Sequence, residues 1–203
     1  MRPLGERRVP NERSGTLVAV RALVLDASDL AAQRAAAGID MRDEMWEGVL
    51  HMVPAAIDRH QRLEADLLRW LWPYADAAGL VVTTDTGLYL ADDDWRVPDL
   101  VVASDAHRTA RGVELGAEVV IDIRSPGDET LDKIEFHGHA GVSQVVVIDR
   151  DTCELHSWRL EPDVRRLVAE DLPGSGSVSV QSLRVLIRRV EGPNGPWIEI
   201  QDI

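Results

Sequence analysis

The amino-acid sequence predicts an α/β (α+β) fold in which a mixed central sheet is flanked by helices. From Leu80 onward, short apolar runs alternate with turn residues, a pattern typical of β-strands. A long amphipathic helix is predicted before these runs, and one short helix interrupts them. A strand, a helix and a further strand in this order indicate a crossover connection, so the sheet is expected to be mixed.

The chain is predicted to divide into an accessory N-terminal segment, residues 1–40, and a folded domain, residues 41–203. Residues 1–16 carry Pro, Gly, Asn and mixed charges without apolar periodicity. Ser28 and Asp29 are candidate caps for a helix that continues through alanines and ends at Gly38. With 203 residues, of which 45% are apolar, the chain is long enough to bury the core of one domain.

Residues 45–54 predict a β-hairpin whose turn is Glu47-Gly48. The long helix follows, from His60 to Gly79, because apolar residues recur there at helical spacing and glycine is a stop signal. Pro73 is expected to break or bend the last turn of this helix.

Six strands and one helix are predicted after the long helix. The helix spans about residues 128–140, and the segments 91–94 and 105–116 are expected to be loops between strands. The six apolar runs are LVVTT, GLYLA, VPDLVVA, EVVIDIRS, SQVVVIDR and CELHSWRL. In the C-terminal tail, VLIRRV and PWIEI are candidate edge strands that would pair in a homodimer.

Composition argues against several classes of protein. No apolar stretch approaches the roughly 20 residues of a membrane span, and the charged N-terminus lacks the apolar core of a signal peptide. The single cysteine, Cys153, excludes an internal disulfide and a multi-thiolate zinc site, so a reducing, cytoplasmic setting is expected. The net charge of −13 argues against tight nonspecific binding to DNA, whose binders usually carry a basic surface.

Asp99, Asp122 and Lys133 are the candidate catalytic residues that the pattern itself indicates. Asp99 follows a proline at the start of an apolar run, where a turn aspartate is also common. Asp122 lies inside the apolar run VVIDIR, where a charge is costly unless it is paired or metal-bound. Lys133 lies in the following helix, where most lysines are simply exposed. Two carboxylates on neighbouring strands can share a divalent cation beside a lysine, so the trio indicates a metal-dependent phosphodiesterase.

His60 and Glu47 are weaker candidates. His60 opens the long helix, and Glu47 lies at the predicted hairpin turn, where an exposed acid is unremarkable. The other histidines show no metal-ligand spacing, so no zinc site is predicted. The sequence also contains no Gly-rich phosphate loop and no G-x-S-x-G motif.

Four ordered pieces of the sequence resemble the Uma-two family of restriction endonucleases, a branch of the PD-(D/E)xK nuclease superfamily. They are EMWEGVLHMVP followed by His60, then VPDLVV, then VVIDIRSPGDET, then DKIEFHGHAGVSQVVVID. Each piece alone is weak, and their order and spacing carry the resemblance over about residues 41–160. It implies a restriction-endonuclease-like fold and a hydrolase that cuts DNA.

The resemblance also implies the site residues. The early acid of the family corresponds to Glu47 or Glu44, and the remaining positions to His60, Asp99, Asp122 and Lys133. The implied cofactor is Mg²⁺, with Mn²⁺ as an alternative, and the implied reaction is phosphodiester hydrolysis by a metal-activated water. Asp99, Asp122 and Glu47 would hold the ion, Lys133 would stabilise the phosphate charge, and His60 would assist metal binding or proton transfer.

Three positions depart from the family pattern. Asp122 stands where Glu is usual, His137 where Tyr is usual, and Gln144 where an acid is common. A displacement of about 1 Å can cost about a hundredfold in rate, so a catalytically degenerate nuclease-fold binding module is an alternative to the endonuclease. A structural homo-oligomer is a second alternative.

Overall fold

The structure, a computed structural model, describes residues 28–38, 40, 42–53, 56–170, 176–193 and 195–203. Its helices are α1 (Ser28–Ala36), α2 (Asp58–Ala78) and α3 (Ile134–His139), with 3-10 helices at Asp105–His107 and Thr130–Lys133. The strands in the first half are β1 (Glu44–Trp46), β2 (Val49–His51), β3 (Val81–Thr84), β4 (Leu88–Ala91), β5 (Asp94–Arg96), β6 (Leu100–Ala103) and β7 (Val113–Glu114). Those in the second half are β8 (Val119–Arg124), β9 (Gln144–Asp149), β10 (Leu155–Glu161), β11 (Arg166–Ala169), β12 (Ser177–Val180), β13 (Val185–Gly192) and β14 (Gly195–Asp202).

A six-stranded mixed sheet forms the centre of the fold, with the strand order β11-β10-β9-β8-β6-β3. Strand β8 pairs in parallel with β9 and antiparallel with β6. The connection from β8 to β9 contains α3, because parallel neighbours need a crossover rather than a tight turn. The predicted mixed sheet flanked by helices is therefore confirmed.

The two faces of this sheet are covered by different elements. Alternation along β8 directs Ile121 and Ile123 into the cluster that contains Leu67 of α2, whereas Val120 joins the cluster that contains Phe136 of α3. Apolar side chains of β12, β13 and β14 also enter the α2 cluster. The C-terminal strands thus complete the core on the α2 side.

The hairpin that precedes α2 forms where the sequence predicts it. Strand β1 pairs with β2 across the two-residue turn Glu47-Gly48. Both turn residues have positive φ, 48° and 83°, which is the backbone of the type I′ turn that suits the twist of a two-residue hairpin. The hairpin belongs to a five-stranded sheet with the order β2-β1-β5-β4-β7.

Helix α2 ends as predicted, at Gly79, which adopts the left-handed conformation and donates its N–H to carbonyls of the last turn. The helix does not break at Pro73 but continues to Ala78. Within the described ranges, no helix is long and apolar enough to cross a membrane.

Three details of the sequence-based prediction are corrected or extended. The segment VLIRRV is not an edge strand, because β13 lies between β12 and β14, whereas PWIEI lies in β14 at the edge. The segment predicted as a loop at 91–94 turns directly into β5. Helix α1 lies in the predicted accessory segment, and its Leu30 and Ala31 pack against the hairpin residues Met45 and Leu50. The division at residue 40 stays a prediction, and residues 1–27 lie outside the described ranges.

Candidate active site

Asp99 and Asp122 lie side by side where the two interior strands β6 and β8 pair. The pairing of Leu100 with Ile121 places Asp99, which immediately precedes β6, next to Asp122 in β8. The Asp99 N–H donates to Asp122 Oδ1 at 3.3 Å, and the Ile123 N–H donates to Asp99 Oδ2 at 2.7 Å. Two of the predicted residues are therefore brought together by backbone hydrogen bonds in a buried part of the sheet.

The Asp99 carboxylate is also held by two side chains. His60 Nε2 lies 2.9 Å from Asp99 Oδ1, and Arg42 Nη2 donates to the same oxygen at 2.7 Å. With the Ile123 N–H, three of the roughly four acceptor positions of this carboxylate are occupied. Asp99 is thus fixed in orientation from the sheet, from α2 and from the segment before β1.

Asp122 is the least satisfied carboxylate of the group. Its Oδ2 is buried and accepts no hydrogen bond from the described residues, and His137 Nε2 lies 3.5 Å away, long for a hydrogen bond. Burial favours the protonated carboxyl, but the contact with His137 and the positive charge of Lys133 outweigh it and lower the pKa of Asp122. A charged oxygen with free acceptor capacity therefore points into the cluster.

Lys133 contacts a glutamate from the hairpin. Its Nζ donates to Glu44 Oε1 at 2.6 Å, and the same oxygen accepts the Val97 N–H at 2.9 Å. Glu44 is buried, and its Oε2 accepts the indole N–H of Trp46. Burial alone would lower the pKa of Lys133, but the charges of Glu44 and Asp122 raise it, so the ammonium form is stabilised.

Glu47 does not join this cluster. It is exposed at the hairpin turn, where its backbone N–H donates to Asp94. The early acid that the structure brings to Lys133 is Glu44, the alternative position that the sequence left open. The reason is the register of the hairpin: the strand residue Glu44 points inward, whereas the turn residue Glu47 must face solvent.

A second group of ionisable side chains surrounds His60. One ligand atom from each of His60, Glu64 and Asp99 lies within 4.8 Å of the others, close enough to hold a metal ion. Burial, together with the charges of Asp85 and Asp99, raises the pKa of Glu64 to about 7. Asp122 lies next to this group, since its Oδ1 accepts the Asp99 N–H.

Sequence reasoning missed Glu64, His137 and Arg42 as members of this centre. Glu64 lies one helical turn after His60, so the spacing was a usable signal. Composition held a further signal: Lys133 is the only lysine in the chain, and every other basic residue of the Lys/Arg set is arginine. A single lysine among nearby acidic residues, in a chain that otherwise uses arginine, indicates a position that needs the compact ammonium group rather than the planar guanidinium.

The donor set fits a hard divalent cation. Carboxylate oxygens are the preferred ligands of Mg²⁺, and a histidine nitrogen is also acceptable to Mn²⁺. The Oδ2 of Asp122 accepts no hydrogen bond from the described residues and can supply a ligand atom, and the buried carboxylates around it outnumber the cationic side chains that the described residues bring to them. The residues present therefore match the kind of ion that the sequence predicts.

Comparisons with known proteins identify the family of the chain and support its fold. A family model described as "Uma2: Putative restriction endonuclease" matches residues 32–190. Solved structures that match include one described as a "putative nuclease belonging to DUF820" from Anabaena variabilis ATCC 29413, with a TM-score of 0.56 and 18% sequence identity over 70% of this chain and 82% of that chain. A search of curated proteins gave no match. The structural likeness supports the fold, and the family match covers most of the chain, so this chain belongs to the Uma2 family of restriction-endonuclease-like proteins.

Proposed function

We propose that this protein is a metal-dependent nuclease that hydrolyses phosphodiester bonds in DNA with Mg²⁺, or Mn²⁺, as its cofactor. The observation that carries the proposal is the charged Oδ2 of Asp122, which accepts no hydrogen bond from the described residues and lies in a buried cluster with Asp99 and the only lysine of the chain. Membership of a nuclease family supports the same reaction class.

Asp99 and Asp122 would hold the cation, with His60 and Glu64 as further ligands on the α2 side. A divalent cation bound there supplies an activated water and neutralises charge on the scissile phosphate. Lys133 carries a stable positive charge and would stabilise the negative charge that develops on the phosphate oxygens. The three roles need side chains that are fixed in advance, which the buried hydrogen bonds provide.

Glu44, rather than Glu47, takes the place of the N-terminal acidic residue of the family pattern. Because three of its acceptor positions are already used by Lys133, Val97 and Trp46, its main role is to position the Lys133 ammonium. His60 likewise orients Asp99 through its 2.9 Å contact. Glu44 is therefore a positioning residue, whereas His60 orients Asp99 and is also a candidate metal ligand.

A catalytically degenerate nuclease-fold binding module is the second candidate, and the acidic net charge of −13, which disfavours a polyanionic substrate, is the observation that favours it. An acidic surface slows the approach of a polyanion, whereas a bound cation offsets part of this charge locally. The two candidates differ in one measurable property, since only the nuclease consumes its substrate.

Cleavage of supercoiled and single-stranded circular DNA with Mg²⁺ or Mn²⁺ tests the proposal. Wild type is expected to nick or degrade the DNA, and Asp122→Asn, which keeps the size of the side chain, is expected to lose at least about a hundredfold in rate. Glu47→Gln, at the exposed turn, is the matched control and is expected to remain active. Cleavage that persists in Asp122→Asn, or that needs no divalent cation, would contradict the proposal.

A further inference from the structure

A cavity of about 310 Å³ opens beside the candidate active site. It lies between α1, the hairpin and strands β4 and β5, and its walls include Tyr89, Trp95, Arg111, Asp85 and Val97. This volume is at the lower end of the roughly 300–1,000 Å³ that small-molecule pockets occupy. The cavity is therefore large enough for one planar ring system rather than for a folded chain.

Two aromatic rings form one side of the cavity. The Tyr89 and Trp95 ring centroids are 5.7 Å apart with an interplanar angle of 32°, and the guanidinium of Arg111 lies 4.4 Å from the Tyr89 ring centroid. Both rings are only half-buried. Flat aromatic and guanidinium surfaces of this kind bind nucleobases by stacking, which tolerates any base sequence.

An unsatisfied acceptor lies in the same wall. Asp85 Oδ1 is buried and accepts no hydrogen bond from the described residues, although Arg42 Nε is 3.3 Å away. Asp85 also has a φ of 47°, an unusual backbone conformation for a residue other than glycine, and such conformations cluster at binding sites. A buried acceptor atom that makes no hydrogen bond with the described residues favours a ligand that carries N–H groups.

The wall of the cavity adjoins the carboxylate cluster. The Asp85 N–H donates to the Asp99 carbonyl at 3.3 Å, and the Val97 N–H donates to the oxygen of Glu44 that holds Lys133. Asp85 and Val97 of the cavity wall are thus hydrogen-bonded to residues of the carboxylate cluster. A group bound in the cavity would be adjacent to a phosphate at the cluster.

We propose that this cavity binds an unpaired nucleobase with an exocyclic amino group, next to the scissile phosphate, an inference that rests on the proposed nuclease function. Asp40, Asp43 and Asp85 line the cavity and repel a phosphate, whereas a carboxylate accepts hydrogen bonds from the amino groups of adenine, cytosine or guanine. A base stacked in a duplex cannot reach such a pocket without leaving the helix. The substrate class is therefore single-stranded or locally unpaired nucleic acid.

Binding of short oligonucleotides to the Asp122→Asn protein, which is expected not to cleave them, tests whether the cavity binds an unpaired nucleobase. A labelled single-stranded oligomer of cytidines, with one abasic site moved through every position, is titrated without a divalent cation and read by fluorescence anisotropy. One position is expected at which loss of the base weakens binding about tenfold, and at which thymine also binds more weakly than cytosine. Tyr89→Leu is expected to weaken binding of the intact oligomer by a similar factor and to abolish the abasic effect.

Two controls separate a base subsite from a damaged fold. Tyr89→Phe keeps the ring and should bind as the parent does, and Trp72→Leu removes an exposed aromatic ring on α2 outside the cavity and should also have no effect. An unchanged affinity in Tyr89→Leu, an abasic effect that persists in that variant, or equal affinity for duplex and single strand would overturn the proposal. Failure of the proposed nuclease function would appear separately, as wild type that binds the oligomer but never cleaves it.

Discussion

Residue by residue, the buried carboxylates of the candidate site are satisfied to different degrees. From the residues that the structure describes, Asp99 and Glu44 each accept three hydrogen bonds, whereas Asp122 accepts one, at Oδ1. Because charged oxygens are costly to bury without partners, this unevenness is stable only if something compensates Asp122. The nearby Lys133 ammonium compensates part of it, and a bound cation would compensate the rest.

Substitution of the two hairpin glutamates distinguishes their roles. Glu44→Gln removes the charge that holds the Lys133 ammonium, so we expect the cleavage rate to fall about a hundredfold through misplacement of Lys133. Glu47→Gln changes only an exposed turn residue and should leave the rate unchanged. The measurement is the single-turnover rate on labelled DNA. Equal effects of the two substitutions would show that Glu44 has no role that Glu47 lacks.

Removal of the Lys133 ammonium is expected to destabilise the metal-free protein. Lys133→Met leaves Glu44 and Asp122 buried without their cationic partner, which typically costs about 3 kcal/mol. Urea unfolding at pH 7 in the presence of a chelator measures this loss. Lys133→Arg keeps the charge but is larger and planar, so it is expected to recover stability only in part and cleavage not at all. Full activity in Lys133→Arg would contradict the assigned role.

Secondary-structure elements that depend on a short stretch of sequence, such as the hairpin turn and helix α2, could be predicted from the sequence. The Glu47-Gly48 turn needs positive φ at both positions, and α2 needs only its apolar spacing and a glycine at its end, so short sequence segments determine both. Strand β13 was misjudged because an edge strand and a central strand differ only in their neighbours. Those neighbours are long-range contacts that the local pattern does not encode.

The end of α2 offers a test of this local argument. Gly79 has a φ of 69°, and a Cβ added there would meet no atom within 4 Å, so Gly79→Ala changes backbone strain without steric overlap. We expect a loss of about 1 kcal/mol in unfolding free energy, measured by urea denaturation. Gly79→Asn should cost less, since asparagine tolerates the left-handed conformation. A neutral Gly79→Ala would mean that the last turn of α2 relaxes.

For the whole molecule, the sequence indicated the fold and most of the candidate site but not the complete set of acids. Asp122 was visible because a charge interrupts an apolar strand, and its cross-strand partner Asp99 followed from the order of the strands. Glu64 was not singled out, and the choice between Glu44 and Glu47 was left open, since burial of an acid on a helix or a short hairpin depends on what packs over it. The excess of 35 acidic over 22 basic residues likewise does not reveal which acids are gathered at one place.

Calorimetric titration of the protein with Mn²⁺ tests the central claim, that the Asp99 and Asp122 cluster is a cation-binding catalytic centre. We predict saturable binding to wild type that is lost or strongly weakened in Asp122→Asn and unchanged in Glu47→Gln, because only the former removes a free, charged ligand atom. Absence of binding to wild type, or equal binding by wild type and Asp122→Asn, would contradict the account.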